Sequence, residues 1–133
     1  MIEVVGAAVL SGNKVLVCRR AQAKSLPGKW EFPGGKLEQG ESAQEALTRE
    51  LREELMLQVV VGPLVAVSQD EEIRLSVYLA APVESEPALG SDHDALGWFN
   101  KEELANLDFA PLDLPILGHL DGYLIPPDEI VLK

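Results

Sequence analysis

The chain is poor in cysteine, in positive charge and in long apolar runs, and each shortage excludes something. A single cysteine, Cys18, rules out an internal disulfide and suits a reducing compartment. Set in an apolar run, Cys18 reads as a small core residue. Eleven Lys and Arg stand against 22 Asp and Glu, a net charge of −11. That balance argues against binding a nucleic-acid polymer, which needs a basic surface. A small phosphorylated partner stays possible, provided that metal ions or a few placed Lys and Arg supply the cations. No apolar run approaches the roughly 20 residues of a membrane span. The opening MIEVVGAAVL lacks the basic start and the length of a secretory signal. The expectation is a cytoplasmic protein, monomer or homodimer, without a membrane or nucleic-acid partner.

The 133 residues, 47% of them hydrophobic, suit one domain over 1–133 with a substantial core. Residues 2–10 and 14–18 read as a hairpin of two strands around Ser11-Gly12-Asn13. A loop over 21–29 leads to a short extended piece, 30–32, stopped by Pro33-Gly34-Gly35. A helix is predicted over 43–55. Strands follow at 58–68, interrupted at Gly62-Pro63, and at 72–80. A polar loop over 84–94 precedes a short strand at 95–99. Asn100 caps a short helix, and a last helix is predicted over 112–120. The tail 126–133 carries no motif. There is no internal repeat, and regular βα alternation is missing. The expected fold class is therefore α/β in the broad sense (α+β), a mixed sheet sandwiched between helices.

The stretch 34–57, GGKLEQGESAQEALTRELREELML, is the most informative. Ser42 and Glu45 form a capping box ahead of a run of strong helix formers. Wound at about 100° per residue, Ala43, Ala46, Leu47, Leu51 and Leu55 share one arc that should face the core. Glu50 and Glu54 fall inside that arc and Glu53 at its edge, while Glu45, Thr48, Arg49 and Arg52 form the polar back. Buried like charges are costly unless neutralised, and a divalent cation with oxygen ligands would neutralise them. The competing reading is a solvated charged face in which Arg49 pairs with Glu45 and Glu53 at i±4. It leaves Glu50 and Glu54 unexplained.

The spacing from Gly35 to Leu57 resembles the Nudix box, G-x5-E-x7-R-E-U-x-E-E-x-G-U with U apolar. Gly35, Glu41, Arg49, Glu50, Leu51, Glu53, Glu54 and Leu57 occupy its positions, and only the late glycine differs, being Met56 here. The context RRA…W.FPGGK and the later FAPLDLPIL are similar to the MutT branch of that family. The resemblance implies a Nudix fold with a loop–helix–loop box. It also implies a Mg²⁺- or Mn²⁺-dependent hydrolase of nucleoside diphosphate derivatives. On that reading Glu50, Glu53 and Glu54 hold the metal, joined by the carbonyl of Gly34, and Glu53 or Glu54 acts as general base. Glu41 and Arg49 pair with each other or with the loop and brace the box, and Gly34 and Gly35 permit close backbone approach. Met56 in a left-handed cap would be strained, unless the helix exits differently.

Arg20 and Lys36 are the phosphate-binding candidates, as cations beside the box; the alternative for each is a solvated surface charge. Phe32 either stacks on the base or belongs to the core. By the resemblance, Asp113 contacts the base; ionised, it can only accept hydrogen bonds. The alternative is that Asp113 caps the last helix. Asp92, His93 and Asp94 lie where some relatives place an extra acid or base, but read more simply as solvated loop residues. The leading expectation is a pyrophosphohydrolase cleaving a nucleoside triphosphate such as 8-oxo-dGTP to monophosphate and pyrophosphate. CTP, a modified dCTP or ADP-ribose are the alternative substrates. A catalytically silent nucleotide-binding module is the remaining alternative, against which all the box acids are present.

Overall fold

In the computed structural model, which describes residues 1–125, the apolar N-terminal run forms β1 (Ile2–Ser11) and turns into β2 (Lys14–Arg20). The turn is made at Gly12, whose φ of 61° lies in the left-handed region that suits glycine. Only Leu10↔Val15 and Ser11↔Lys14 pair before the two strands diverge. β2 then pairs with β3 (Trp30–Glu31) along one edge and β7 (His93–Phe99) along the other. The first half of β1 pairs with β4 (Gly34–Lys36). Along its other edge β1 runs parallel to β6 (Ile73–Pro82), from Ile2↔Ile73 to Val9↔Ala80. β5 (Val59–Gln69) closes the array against β6, with register shifts around the expected interruption at Gly62-Pro63. The seven strands form one mixed sheet.

Alternation along the central strands explains why both faces are covered. Val5, Ala7 and Val9 of β1 and Leu16 and Cys18 of β2 pack with Ala46, Leu47, Leu51 and Leu55 of α1 (Ala43–Leu55). Ala8, Val15 and Val17 face the other way. There they meet Leu104 of α2 (Lys101–Leu104) and Ile116 and Leu120 of a 3-10 helix, Leu114–Tyr123. The Cys18 thiol is fully buried, and burial pushes its pKa far up, so it serves as packing.

Three elements differ from the sequence reading. Pro33-Gly34-Gly35 does not end the extended chain: Gly34 and Gly35 start β4, because a backbone without Cβ can lie directly against Val5 of β1. The last helix is a 3-10 helix shifted to Leu114–Tyr123, with Pro115 in its first turn and Gly118 and Gly122 weakening any α-helix. β7 begins at His93, so His93 and Asp94 belong to a strand and not to a loop. The tail 126–133 lies outside the described residues.

Candidate active site

Helix α1 is placed by its own ends. The Ser42 hydroxyl accepts from Glu45 N at 3.1 Å, and the Glu45 carboxylate accepts from Ser42 N at 3.0 Å. The helix stops at Met56, which takes the left-handed conformation (φ 53°, ψ 29°) and donates its N–H to the Arg52 carbonyl. Between these ends, Arg49 gathers the box acids. It donates to Glu41 through Nε at 2.8 Å and Nη2 at 2.9 Å, and to Glu50 through Nη1 at 2.8 Å. Glu53 lies 3.5 Å away. These bonds hold the Glu41 carboxyl below the usual carboxylate range and raise the Arg49 guanidinium further. Arg49 does not pair with Glu45, which the capping box engages.

Glu50 and Glu54 point inward, as the helix wheel predicts. A Cβ at Gly35 would come within 2.5 Å of the Glu50 carboxyl carbon, so that glycine makes room for the acid. Glu54 Oε2 is buried without a hydrogen-bond partner among the described residues. Burial, then the neighbouring Glu50, pushes Glu54 up to about 9, with Asp92 and Glu31 adding to the effect. Glu53 faces away: its side chain is 59% exposed and, among the described residues, reaches only Arg49. Among the described residues no three His, Cys, Asp or Glu side chains converge as a finished cage. The donor set nevertheless suits a hard divalent cation: two facing carboxylates, one with an unsatisfied oxygen, beside the Gly34–Gly35 backbone.

A pocket of about 400 Å³ opens beside these acids, lined by Gly34, Gly35, Lys36 and Glu54 and, from other elements, by Arg20, Glu31, Phe32, His93 and Asp113. Arg20 is not a free cation. Its Nη1 donates to Glu31 Oε1 at 2.8 Å and its Nη2 to Ser25 Oγ at 2.9 Å, while its Nε donates to the Ser25 carbonyl. The other oxygen of Glu31 meets His93 Nε2 at 2.9 Å. The His93 side chain is 2% exposed, and its Nδ1 has no partner among the described residues. Glu31, like Asp70, is a pocket acid that sequence reasoning missed. Its only local signal is a place between two aromatics, and its partners lie on β2 and β7. Lys36 is exposed, and no ion pair engages it among the described residues.

Phe32 is both core and wall. It is 4% exposed, tilts against Phe109 at 6.1 Å between centroids, and lines the pocket. Asp113 is no helix cap: it occupies the N-cap position without a side-chain cap bond. Instead its Oδ2 accepts from the Phe32 backbone N–H at 2.9 Å. Burial pushes its carboxyl from 3.8 up to about 7, against the opposing effect of that bond.

Residues 2–120 match the NUDIX domain family, nearly the whole described chain. The chain belongs to the Nudix family. Its similarity to the CTP pyrophosphohydrolase of Escherichia coli (strain K12) is 40% identity over 120 residues, covering 88% of this chain and 89% of that protein. The 8-oxo-dGTP diphosphatase of the same organism is 32% identical over 112 residues, covering 81% and 86%. The crystal structure of a MutT NUDIX hydrolase from Burkholderia pseudomallei superimposes with a TM-score of 0.79 at 28% identity, over 90% of this chain and 97% of that one. The chain is thus a Nudix hydrolase, and Nudix hydrolases generally use divalent metal ions and act on nucleotides. No described helix is long and apolar enough to cross a membrane.

Proposed function

We propose that this Nudix hydrolase cleaves a nucleoside triphosphate between its α- and β-phosphates, releasing the monophosphate and pyrophosphate. The observation that carries the reading is the buried Glu54 carboxyl beside Glu50, one oxygen of it without a partner among the described residues, in a pocket shared with Asp113. Glu50 and Glu54 would hold Mg²⁺ or Mn²⁺ together with the Gly34 carbonyl, and Glu53 would join by turning from Arg49. A bound divalent ion would offset the charge of the phosphate oxygens and return Glu54 to its carboxylate form. Glu53 or Glu54 accepts a proton from the attacking water as its oxygen bonds to phosphorus and the bridging P–O bond breaks. Arg49 and Glu41 keep the loop and helix in register, and Lys36 offers the phosphates a free ammonium.

Asp113 supports a base that presents N–H groups. Its Oδ2 is committed to Phe32, and Oδ1 remains for an exocyclic amine or ring N–H. Cytosine and oxidised guanine both qualify, and uracil offers fewer such groups. The 40% identity to a CTP pyrophosphohydrolase favours a cytidine nucleotide over 8-oxo-dGTP as the first substrate to try. The test is kcat/KM for CTP, modified dCTP, 8-oxo-dGTP, UTP and ADP-ribose with Mg²⁺. A preference for an amine-bearing triphosphate, abolished by a chelator, is expected. Equal turnover of UTP, or turnover that survives chelation, would count against it.

A further inference from the structure

We infer that Lys24 is a polyphosphate-binding residue at the rim of this pocket, held by Asp92 until an anion arrives; the inference rests on the nucleotide reading above. The pocket is lined by the carboxyl groups of Glu31, Glu54, Asp70, Asp92 and Asp113, against the cations Arg20, Lys24 and Lys36. A polyanion entering such a wall needs mobile positive charge. Each nitrogen of the Arg20 guanidinium already donates to Glu31 or Ser25, so Arg20 is held in the pocket floor and its charge is partly offset there. Arg19 and Lys29 are committed elsewhere, to Asp94 and Asp108, and do not line the pocket.

Lys24 is built differently. Its backbone is fixed: Lys24 N donates to the Ala21 carbonyl at 3.1 Å, Ala21 N donates to Asp92 O at 3.1 Å, and Ser25 is gripped by Arg20. Its side chain is lightly held: it is 43% exposed and among the described residues makes one ion pair, Nζ to Asp92 Oδ1 at 3.2 Å, with a partner itself 38% exposed. Exposed pairs of this kind contribute little, so exchanging Asp92 for a phosphate costs little. The exchange would occur beside the box acids. The segment carrying Asp92 is seated on the end of α1, where Ala88 N donates to Leu55 O at 2.8 Å. Gly90 packs there so closely that a Cβ would come within 2.5 Å of the Glu54 carbonyl oxygen. A compact ammonium with three rotatable donors suits shifting phosphate oxygens. A monophosphate product offers it no terminal phosphate, and Lys24 returns to Asp92.

The test is calorimetric binding of inorganic tripolyphosphate and of the nucleoside monophosphate, with Mg²⁺, to wild type, Lys24→Met and Lys24→Arg. Lys24→Met is expected to weaken tripolyphosphate binding at least fivefold and monophosphate binding less than twofold, with Lys24→Arg restoring most of the loss. The KM for the triphosphate rises by a similar factor while kcat stays within twofold. Tripolyphosphate binding within twofold of wild type, or equal losses on both ligands, overturns the inference. Lys24-dependent tripolyphosphate binding in an enzyme that hydrolyses no nucleoside triphosphate would instead sink the nucleotide reading and leave the anion site standing.

Discussion

Met56 occupies the one box position where the chain departs from the Nudix pattern, and it adopts the left-handed conformation that glycine would take there. A side chain in that region costs about 1–2 kcal/mol. Its side chain gains little in return, because the residue is 72% exposed. Met56→Gly relieves the strain but loosens the unfolded chain, so a net gain of about 0.5–1 kcal/mol is expected, read as a higher urea midpoint at unchanged m-value. Asp113 supplies a second test. Its pKa is about 7 in the fold against an ordinary 3.8. Between those values the folded protein holds a proton that the unfolded chain has lost, so stability falls as pH rises through that window. Asp113→Asn can still accept from Phe32 N and should flatten this fall, raising the melting temperature at pH 8 relative to pH 5. An unchanged pH slope would show that Asp113 is ionised throughout.

Helix α1 joins local and non-local information. Its limits, its capping box and its buried leucines follow from neighbours three and four residues apart, and they were legible. The inward placement of Glu50 and Glu54 was legible for the same reason. What the helix wheel could not show was the partner of each acid. Glu53 turned out to be exposed, and Arg49 reaches back to Glu41 in place of Glu45. Both outcomes depend on how the preceding loop folds over the helix. β4 was illegible because Gly-Gly-Lys has no strand propensity; it pairs only because β1 lies beside it. Gly35→Ala tests that contact. Its Cβ would displace the Glu50 carboxyl, so hydrolysis should drop at least tenfold and Mg²⁺ binding should weaken, with far-UV circular dichroism unchanged. Normal activity would mean that Glu50 has room to move and that Gly35 is simply part of a strand.

Across the whole molecule, a net charge of −11 and a pocket with five carboxyl-bearing residues in its lining should make the fold respond to divalent cations. Mg²⁺ that binds only the folded state stabilises it by RT ln(1 + [Mg²⁺]/Kd), about 2.7 kcal/mol at a hundredfold excess over Kd. The melting temperature should therefore rise with Mg²⁺ well beyond the effect of NaCl at equal ionic strength, and Glu54→Gln should lose most of that rise. Equal responses to the two salts would remove the cation from the site. The amino-acid sequence by itself determined α1, its cap, the apolar runs of β1 and β2 and the box spacing, because these depend on residues close along the chain. Only the tertiary structure decided which polar groups meet. Glu31 and His93 are 62 residues apart, and Phe32 and Asp113 are 81 apart. No periodicity reaches that far. Sheet order brings such partners together, and burial then decides which carboxyl groups keep their protons and which side chains remain free for a ligand.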